Sequence, residues 1–287
     1  MFVKKLLKVL VSPIAGPIAG PILLGMVAEH QIKKKLKHSS SPSVVERVFG
    51  AEEVFEVINL KSTGCSPTVV AVSGFMNENE DGSQWMSFLR QHFPQNQWVY
   101  IRWESGSAGS LVFSSPAWEW MAALNHSAEA GKRLAKYIEG SPGEKIVLGH
   151  SLGARTINHA LKKLDKNSFS KLLAVQLFGG AVSSRCDSWR RIGTHLKCPV
   201  LNYFSSHDSV LKNLYKDKVL SSPTPAGLAP IEGFNNDYFA NYDVSSKVEG
   251  HSAYYERYFP QAIHNYVSDK SPKHDVVDCD QYDDLGL

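Results

Sequence analysis

Short apolar runs alternate with amphipathic segments along the central part of the chain. The apolar runs predict six strands, at 54–61, 68–73, 97–103, 145–148, 172–178 and 199–205. Apolar positions at helical spacing predict helices at 83–93, 116–138, 152–164, 188–196, 209–219 and 253–267. Most of the strand runs lack polar alternation, which is typical of strands covered on both faces. The pattern therefore predicts a mainly parallel, doubly wound α/β sheet flanked by helices, with ligands bound outside the carboxyl ends of the strands.

The N-terminal segment has a different pattern. Residues 9–28 carry no charge over 20 positions, and lysines lie on both sides. This length suits a bilayer crossing, but Pro13, Pro17 and Pro21 each remove a helix hydrogen bond that lipid cannot replace. We expect residues 1–37 to associate with a membrane. An apolar strap packed on the folded domain and a cleaved signal peptide are the alternatives.

Length and composition predict one folded domain. A chain of 287 residues with 43% hydrophobic residues can bury one large core. We assign residues 38–50 to a linker and 51–270 to the domain. The last segment, 271–287, holds five aspartates and reads as an acidic tail. The sequence does not indicate an oligomeric state.

The charge distribution restricts the classes of partner. The formal net charge is +3, and seven lysines face one glutamate within the first 38 residues. The remainder has no basic stripe with interleaved aromatic residues, so we expect no nucleic-acid partner. The basic flanks of the N-terminal segment suit a lipid surface. The four cysteines lie far apart without zinc-ligand spacing, and no nucleotide or flavin signature is present, so we expect neither metal nor cofactor.

The stretch VLGHSLGAR, residues 147–155, contains the pattern G-x-S-x-G centred on Ser151. It joins a predicted strand to a predicted helix, which is the context that a nucleophile elbow requires. Gly149 and Gly153 would let the strand and helix pass closely, and the amide of Leu152 at the helix start would point at a developing oxyanion. The alternative is a tight turn in which Ser151 caps the helix.

A catalytic serine needs a base and an orienting acid, which on this type of fold follow in the order Ser, acid, His. Asp208 comes just after the sixth predicted strand, and His251 lies in a Gly-flanked loop before the final predicted helix. The alternatives are a helix-capping role for Asp208 and a surface role for His251. Asp237 and Asp243 are reserve candidates for the acid.

Weaker signals indicate the rest of a site. Gly74 follows the second strand, so the amide of Phe75 or Met76 is the candidate for a second oxyanion donor. After the third strand, apolar residues could line an acyl pocket, although packing in the core is an equal or better explanation for each aromatic one. The pocket candidates are Leu111, Phe113 and Trp118.

Several blocks in register carry a family resemblance. AEAGKRLAKYI, LGHSLGARTINHAL, LFGGAVSS, LNYFSSHDSVLKNLYK, PAGLAPI and DVSSKVEGHSAYYERY resemble, in this order, the transmembrane-and-coiled-coil-domain proteins. The resemblance covers roughly residues 65–265. It implies an α/β-hydrolase fold, places Ser151, Asp208 and His251 at the triad positions, and adds weight to membrane association. This chain departs from the family in having one apolar segment and no evident coiled coil.

Together these features predict a serine hydrolase that cleaves carboxylic esters, with lipid esters among the candidates, through an acyl-enzyme intermediate. The fold also hosts thioesterases, acyltransferases and peptidases, which remain open. A non-catalytic protein of binding or membrane trafficking is the alternative from another class. We expect a membrane-associated location with the domain facing the cytoplasm, and export by a signal peptide remains the alternative.

Overall fold

A single sheet of seven strands organises the protein. The computed structural model describes residues 55–75, 80–105, 116–185, 187–216, 224–232 and 238–255. The strands are β1 Phe55–Lys61, β2 Cys65–Val72, β3 Asn96–Trp103, β4 Lys145–His150, β5 Leu172–Phe178, β6 Val200–Phe204 and β7 Phe239–Asp243. The helices are α1 Ser83–His92, α2 Pro116–Gly140, α3 Leu152–Lys163, α4 Asp187–Gly193 and α5 Ser209–Lys216, with short 3₁₀ turns at Ser168–Lys171 and Ala253–Tyr255.

The strand order is β1-β3-β2-β4-β5-β6-β7. Only the edge pair β1–β3 is antiparallel, with Phe55 opposite Trp103, and all the other pairs are parallel. The carboxyl ends of the six strands β2 to β7 therefore meet at one edge of the sheet. The loops that follow these strands bring together residues that are far apart in the chain.

Apolar residues cover both faces of the sheet. Consecutive residues of β2 alternate between the two faces, and both Val69 and Val70 are fully buried. Val70 packs in the cluster that includes Leu134 of α2 and Ile157 of α3, whereas Val69 packs with Phe88 of α1. Each fully buried side chain of this size contributes about 1.5–3 kcal/mol of transfer free energy. This double coverage explains why the inner parallel strands are largely apolar runs.

The six strands predicted from the sequence are confirmed, with end shifts of a few residues. The seventh, β7, was not predicted. It has five residues, none of them fully buried, so it lacks an apolar run. Of the predicted last helix, only the 3₁₀ turn Ala253–Tyr255 lies within the described residues. The segments 1–37, 38–50 and 271–287 lie outside them.

None of the helices in the described ranges is both long enough and apolar enough to span a membrane.

Candidate active site

Ser151 occupies a strained turn between β4 and α3. Its backbone torsions are φ 54° and ψ −120°, and it is the one non-glycine residue with positive φ among the described residues. Such torsions are costly for a residue with a Cβ atom and are found chiefly at functional sites. Ser151 makes no side-chain capping hydrogen bond to α3. The capping alternative is therefore wrong, and the hydroxyl is not used to start the helix.

Two glycines make this turn possible. A Cβ atom on Gly153 would lie 2.1 Å from the carbonyl oxygen of Val72 in β2. A Cβ atom on Gly149 would lie 2.4 Å from Cδ1 of Ile157 and 2.9 Å from the backbone nitrogen of Ala154. Helix α3 thus starts in direct backbone contact with the sheet, as expected for glycines two residues before and after Ser151.

Asp208 and His251 are joined at the same sheet edge. Nδ1 of His251 lies 2.7 Å from Oδ2 of Asp208, whose side chain is fully buried, and the His251 side chain is 13% exposed. The other carboxylate oxygen, Oδ1, accepts a hydrogen bond from the backbone N–H of Leu211 at 3.0 Å. One oxygen of Asp208 therefore caps the first turn of α5, as in the capping alternative, while the other oxygen binds the histidine.

His150 links the histidine loop to the serine turn. Its Nε2 donates to the backbone carbonyl oxygen of His251 at 2.7 Å, and the two rings lie 4.6 Å apart. Burial, followed by the proximity of His251, lowers the pKa of His150 well below its ordinary value. A neutral ring with its proton on Nε2 suits a carbonyl acceptor. Since His150 is the last residue of β4 and directly precedes Ser151, this bond ties the loop that carries His251 to the end of β4.

Hydrogen bonds also join the loop after β6 to the loop after β7. The hydroxyl of Ser205 donates to the carbonyl oxygen of Val248 at 2.6 Å. The backbone N–H of Ser206 donates to the hydroxyl of Ser245 at 2.8 Å, and Nδ1 of His207 lies 3.0 Å from the carbonyl oxygen of Ser245. These contacts fix the loop that carries Asp208 against the loop that carries His251.

Tyr254, three residues after His251, lies near Gly179, as does the carboxylate of Asp208. A Cβ atom on Gly179 would lie 2.7 Å from Cε2 of Tyr254 and 3.3 Å from Oδ2 of Asp208. Gly179 has a φ of +51°, so glycine suits this position on both counts. Burial, followed by the charge of Asp208, raises the pKa of Tyr254, which keeps its phenol protonated.

The loop after β2 approaches the serine closely. A Cβ atom on Gly74 would lie 2.6 Å from Cβ and 3.1 Å from Oγ of Ser151. The start of this loop is held by Trp103, whose Nε1 donates to the carbonyl oxygen of Ser73 at 2.9 Å. Phe75 follows and packs edge-on against Trp120, with ring centroids 5.2 Å apart. Only glycine fits at position 74.

Two predicted oxyanion donors flank this contact. Leu152 is the first residue of α3, so its backbone N–H has no acceptor inside the helix, and Phe75 directly follows Gly74. Met76, Leu111 and Phe113 lie outside the described residues. Trp118 lies within α2, but its side chain is not among those described.

The site also corrects and extends the sequence-based list. Asp243, a reserve acid, is exposed and accepts hydrogen bonds from Ser245, so it is not the partner of His251 here. The other reserve, Asp237, lies outside the described residues. The sequence indicated only that His150, beside Ser151, contacts a loop, and it did not specify the bond to the carbonyl oxygen of His251. The role of Tyr254 was missed, and its place three residues after His251 does not specify a contact.

The strand order, the one antiparallel edge strand, the helices on both faces and the strained serine turn after β4 define an α/β-hydrolase fold. The chain belongs to the family described as "Protein of unknown function (DUF726)", whose model matches residues 116–266, just over half of the chain. The resemblance expected from the sequence blocks is therefore confirmed.

Relatives of this chain match it over about half of its length. An "Uncharacterized membrane protein F35D11.3" from Caenorhabditis elegans is 31% identical over 153 residues, which are 52% of this chain and 24% of that protein. The "Transmembrane and coiled-coil domain-containing protein STS1" from Oryza sativa subsp. japonica is 32% identical over 141 residues, 47% of this chain and 21% of that protein. The matches thus span about a quarter or less of these relatives.

Among solved structures, the mouse alpha/beta hydrolase domain-containing protein 10 is similar, with 11% identity and a TM-score of 0.41. The match covers 76% of this chain and 95% of the mouse chain. The assignment of the fold rests on the strand order and directions given above.

Proposed function

We propose that this protein is a serine hydrolase that cleaves carboxylic esters, with Ser151 as nucleophile, His251 as general base and Asp208 as orienting acid. The observation that carries the proposal is the 2.7 Å hydrogen bond between Nδ1 of His251 and Oδ2 of Asp208. It lies at the same sheet edge as a serine in a strained turn. A turn of this strain, with a hydroxyl that does not cap its helix, is well suited to a nucleophile.

In the proposed first step, Nε2 of His251 takes the proton of the Ser151 hydroxyl as Oγ attacks the ester carbonyl carbon. Asp208 keeps the proton of the neutral ring on Nδ1 and stabilises the imidazolium that forms. Because Asp208 is fully buried and held by Leu211, its carboxylate needs little reorganisation during the step.

The tetrahedral intermediate places negative charge on the former carbonyl oxygen. The backbone N–H of Leu152 and an N–H of the loop after Gly74 are the proposed donors to it. His251 then protonates the leaving alcohol, and the C–O bond of the ester breaks to leave an acyl group on Ser151. Water, deprotonated by the same ring, hydrolyses this acyl-enzyme and restores the serine.

We also propose that residues 1–37 associate with a membrane, with the hydrolase domain on its cytoplasmic side. The uncharged run 9–28 supports the association, and so do the names of two relatives, which describe them as membrane proteins. Cys65 and Cys198 are free thiols, which suits a reducing compartment. Removal of residues 1–37 should move the protein from the membrane fraction to the supernatant, and retention in the membrane fraction would refute this assignment.

The test of the proposed reaction is covalent labelling of the full chain by a fluorophosphonate probe, followed by hydrolysis of a panel of esters. We expect Ser151→Ala and His251→Ala to lose both labelling and turnover. Ser170→Ala is the matched control, since Ser170 is exposed and precedes β5 at the opposite edge of the sheet.

Equal labelling of Ser151→Ala and wild type would overturn the assignment of the nucleophile. A folded wild type that neither reacts with the probe nor hydrolyses any ester, with or without lipid vesicles, would favour the non-catalytic alternative. Faster turnover of thioesters or peptides, or transfer of the acyl group to an added alcohol in preference to water, would move the activity to another class on the same fold.

A further inference from the structure

A groove lies beside the loop that carries Asp208, at the sheet edge that carries Ser151. It has a volume of about 450 Å³ and runs between α5 and the segment 224–228. This volume lies within the usual range for small-molecule sites. Ser209, the first residue of α5 and the neighbour of Asp208, lines one end of the groove.

Hydrogen bonds connect this groove to the serine turn. The hydroxyl of Tyr215, which lines the groove, donates to the carbonyl oxygen of Ala181 at 3.1 Å. The backbone N–H of Ala181 in turn donates to the carbonyl oxygen of Ser151 at 2.9 Å. The segment on the other side is anchored at the same edge, because the N–H of Gly227 donates to Gly180 and its carbonyl oxygen accepts from Ser205. The groove is thus built from the loops that hold the serine.

The lining chemistry suits an anion. Lys212 supplies a positive charge, and Ser209, Asn213 and Thr224 supply hydroxyl and amide donors. Among the lining residues that the structure describes there is no carboxylate. Within the described ranges Lys212 takes part in no salt bridge, and Glu232, downstream of the 224–228 segment, is already paired with Arg185. Lys212 is exposed at the surface and its charge is available to a ligand.

A second cation, Arg155, lies near Tyr215 of the groove. Arg155, one turn after Ser151 in α3, is close enough to Tyr215 to oppose the rise that burial causes in the pKa of that phenol, which is about 12. The Nε atom of Arg155 is buried and has no hydrogen-bond partner within the described ranges. Arg155 thus adds a positive charge near Tyr215, whereas Pro225 and Leu228 give the groove an apolar wall.

We propose that this groove binds the anionic group, a phosphate or a carboxylate, of an amphiphilic ester whose acyl bond is presented to Ser151. Lys212 and the donors around it hold the anion, and the apolar wall contacts the neighbouring hydrocarbon. The position of the acyl bond rests on the proposed function, whereas binding of the anion does not.

Binding is tested with butyl phosphate, titrated by ligand-observed NMR into the full chain carrying Ser151→Ala, with 1-butanol as the neutral probe. Loss of one exposed ion pair predicts a Kd about threefold higher for Lys212→Gln and about tenfold higher for Lys212→Glu. Lys197→Glu is the matched control, since Lys197 is exposed, changes the net charge equally and precedes β6 at the opposite edge. Butanol binding should not respond to any of these changes.

Turnover and vesicle binding form two further arms. With Ser151 intact, Lys212→Glu should lower the ratio of kcat/KM for an anionic half-ester of glutaric acid over that for the matching butyrate ester about tenfold. Cosedimentation with vesicles containing phosphatidic acid distinguishes a lipid headgroup from a soluble anion. Residues 1–37 are present in every variant, so their own contribution to vesicle binding is the same in all of them.

An effect of Lys212 on butyl phosphate supports a soluble anionic ester, and an effect on the vesicles alone supports a lipid headgroup. If all variants fail to hydrolyse esters but Lys212 still controls anion binding, the groove stands and the proposed function falls. Anion binding that is equal in Lys212→Glu, Lys197→Glu and the parent, with the substrate ratio unchanged, overturns the proposal.

Discussion

Substituting Gly153 by alanine tests the backbone contact on which the serine turn depends. The new Cβ atom would lie 2.1 Å from the carbonyl oxygen and 2.8 Å from the carbonyl carbon of Val72. Both are backbone atoms of β2, which is hydrogen-bonded to β3 and β4 on its two sides. Neither α3 nor β2 can therefore give way without disturbing the sheet.

The expected loss follows from this overlap. The helix must move by about 1 Å or more to restore ordinary contact distances. Overpacking of this kind costs typically about 1–3 kcal/mol, and we expect the upper end because backbone meets backbone. The better helix propensity of alanine returns at most about 1 kcal/mol. We therefore expect the free energy of unfolding to fall by about 2 kcal/mol, together with loss of fluorophosphonate labelling at Ser151.

Gly140→Ala is the matched control for this substitution. Gly140 ends α2, and a Cβ atom there would meet nothing within 4 Å. It should leave stability unchanged or raise it by up to about 1 kcal/mol. Urea denaturation followed by tryptophan fluorescence measures both variants. Equal unfolding free energies for Gly153→Ala and Gly140→Ala would refute the close contact between α3 and β2.

Three further predictions concern the site and its surroundings. Asp208→Asn keeps an oxygen for the N–H of Leu211 but no longer orients His251, so we expect kcat to fall roughly 10³–10⁴-fold with little change in stability. His150→Phe removes the donor to the His251 carbonyl and should lower kcat, whereas His150→Gln should restore part of it. Burial, and then nearby cations, lower the pKa of His159 to about 3, so the unfolded chain takes up a proton that the folded protein refuses as pH falls below about 6.5. Stability should drop over this range, and less steeply in His159→Gln.

Steady-state kinetics and denaturation at pH 7 and pH 4.5 check these expectations. Asp208→Asn at wild-type kcat would mean that another group orients the base. Equal kcat values for His150→Phe and His150→Gln would mean that the donated hydrogen bond does not position His251. An identical loss of stability on acidification in His159→Gln and wild type would show that His159 titrates normally in the folded protein.

Local features of the sequence were sufficient for the inner parallel strands and for the serine turn. A strand covered on both faces, such as β5, is apolar at six of its seven positions and is recognised without knowledge of its neighbours. The turn at Ser151 is likewise defined within nine residues, because its strand, glycines and helix are adjacent in the chain. The chain order of serine, acid and histidine narrowed the candidates for the acid and the base, although no distance between these residues was known.

Contacts between distant segments could not be derived in this way. Strand β7 escaped prediction because an edge strand of five partly exposed residues has no apolar run. The two roles of Asp208 depend on the separate positions of Leu211 and His251. The bond from His150 to His251 spans 101 residues and exists only because the carboxyl ends of β4 and β7 lie at one sheet edge.

The sequence by itself thus determined the alternation of elements, the identity of the serine turn and the candidates for its partners, since these depend on local periodicity and steric demands. Only the tertiary structure decided which strands are neighbours, which oxygen of Asp208 meets His251, and where Lys212 and Tyr215 form a groove. These depend on the relative placement of separate loops, which packing of the whole sheet and its helices sets.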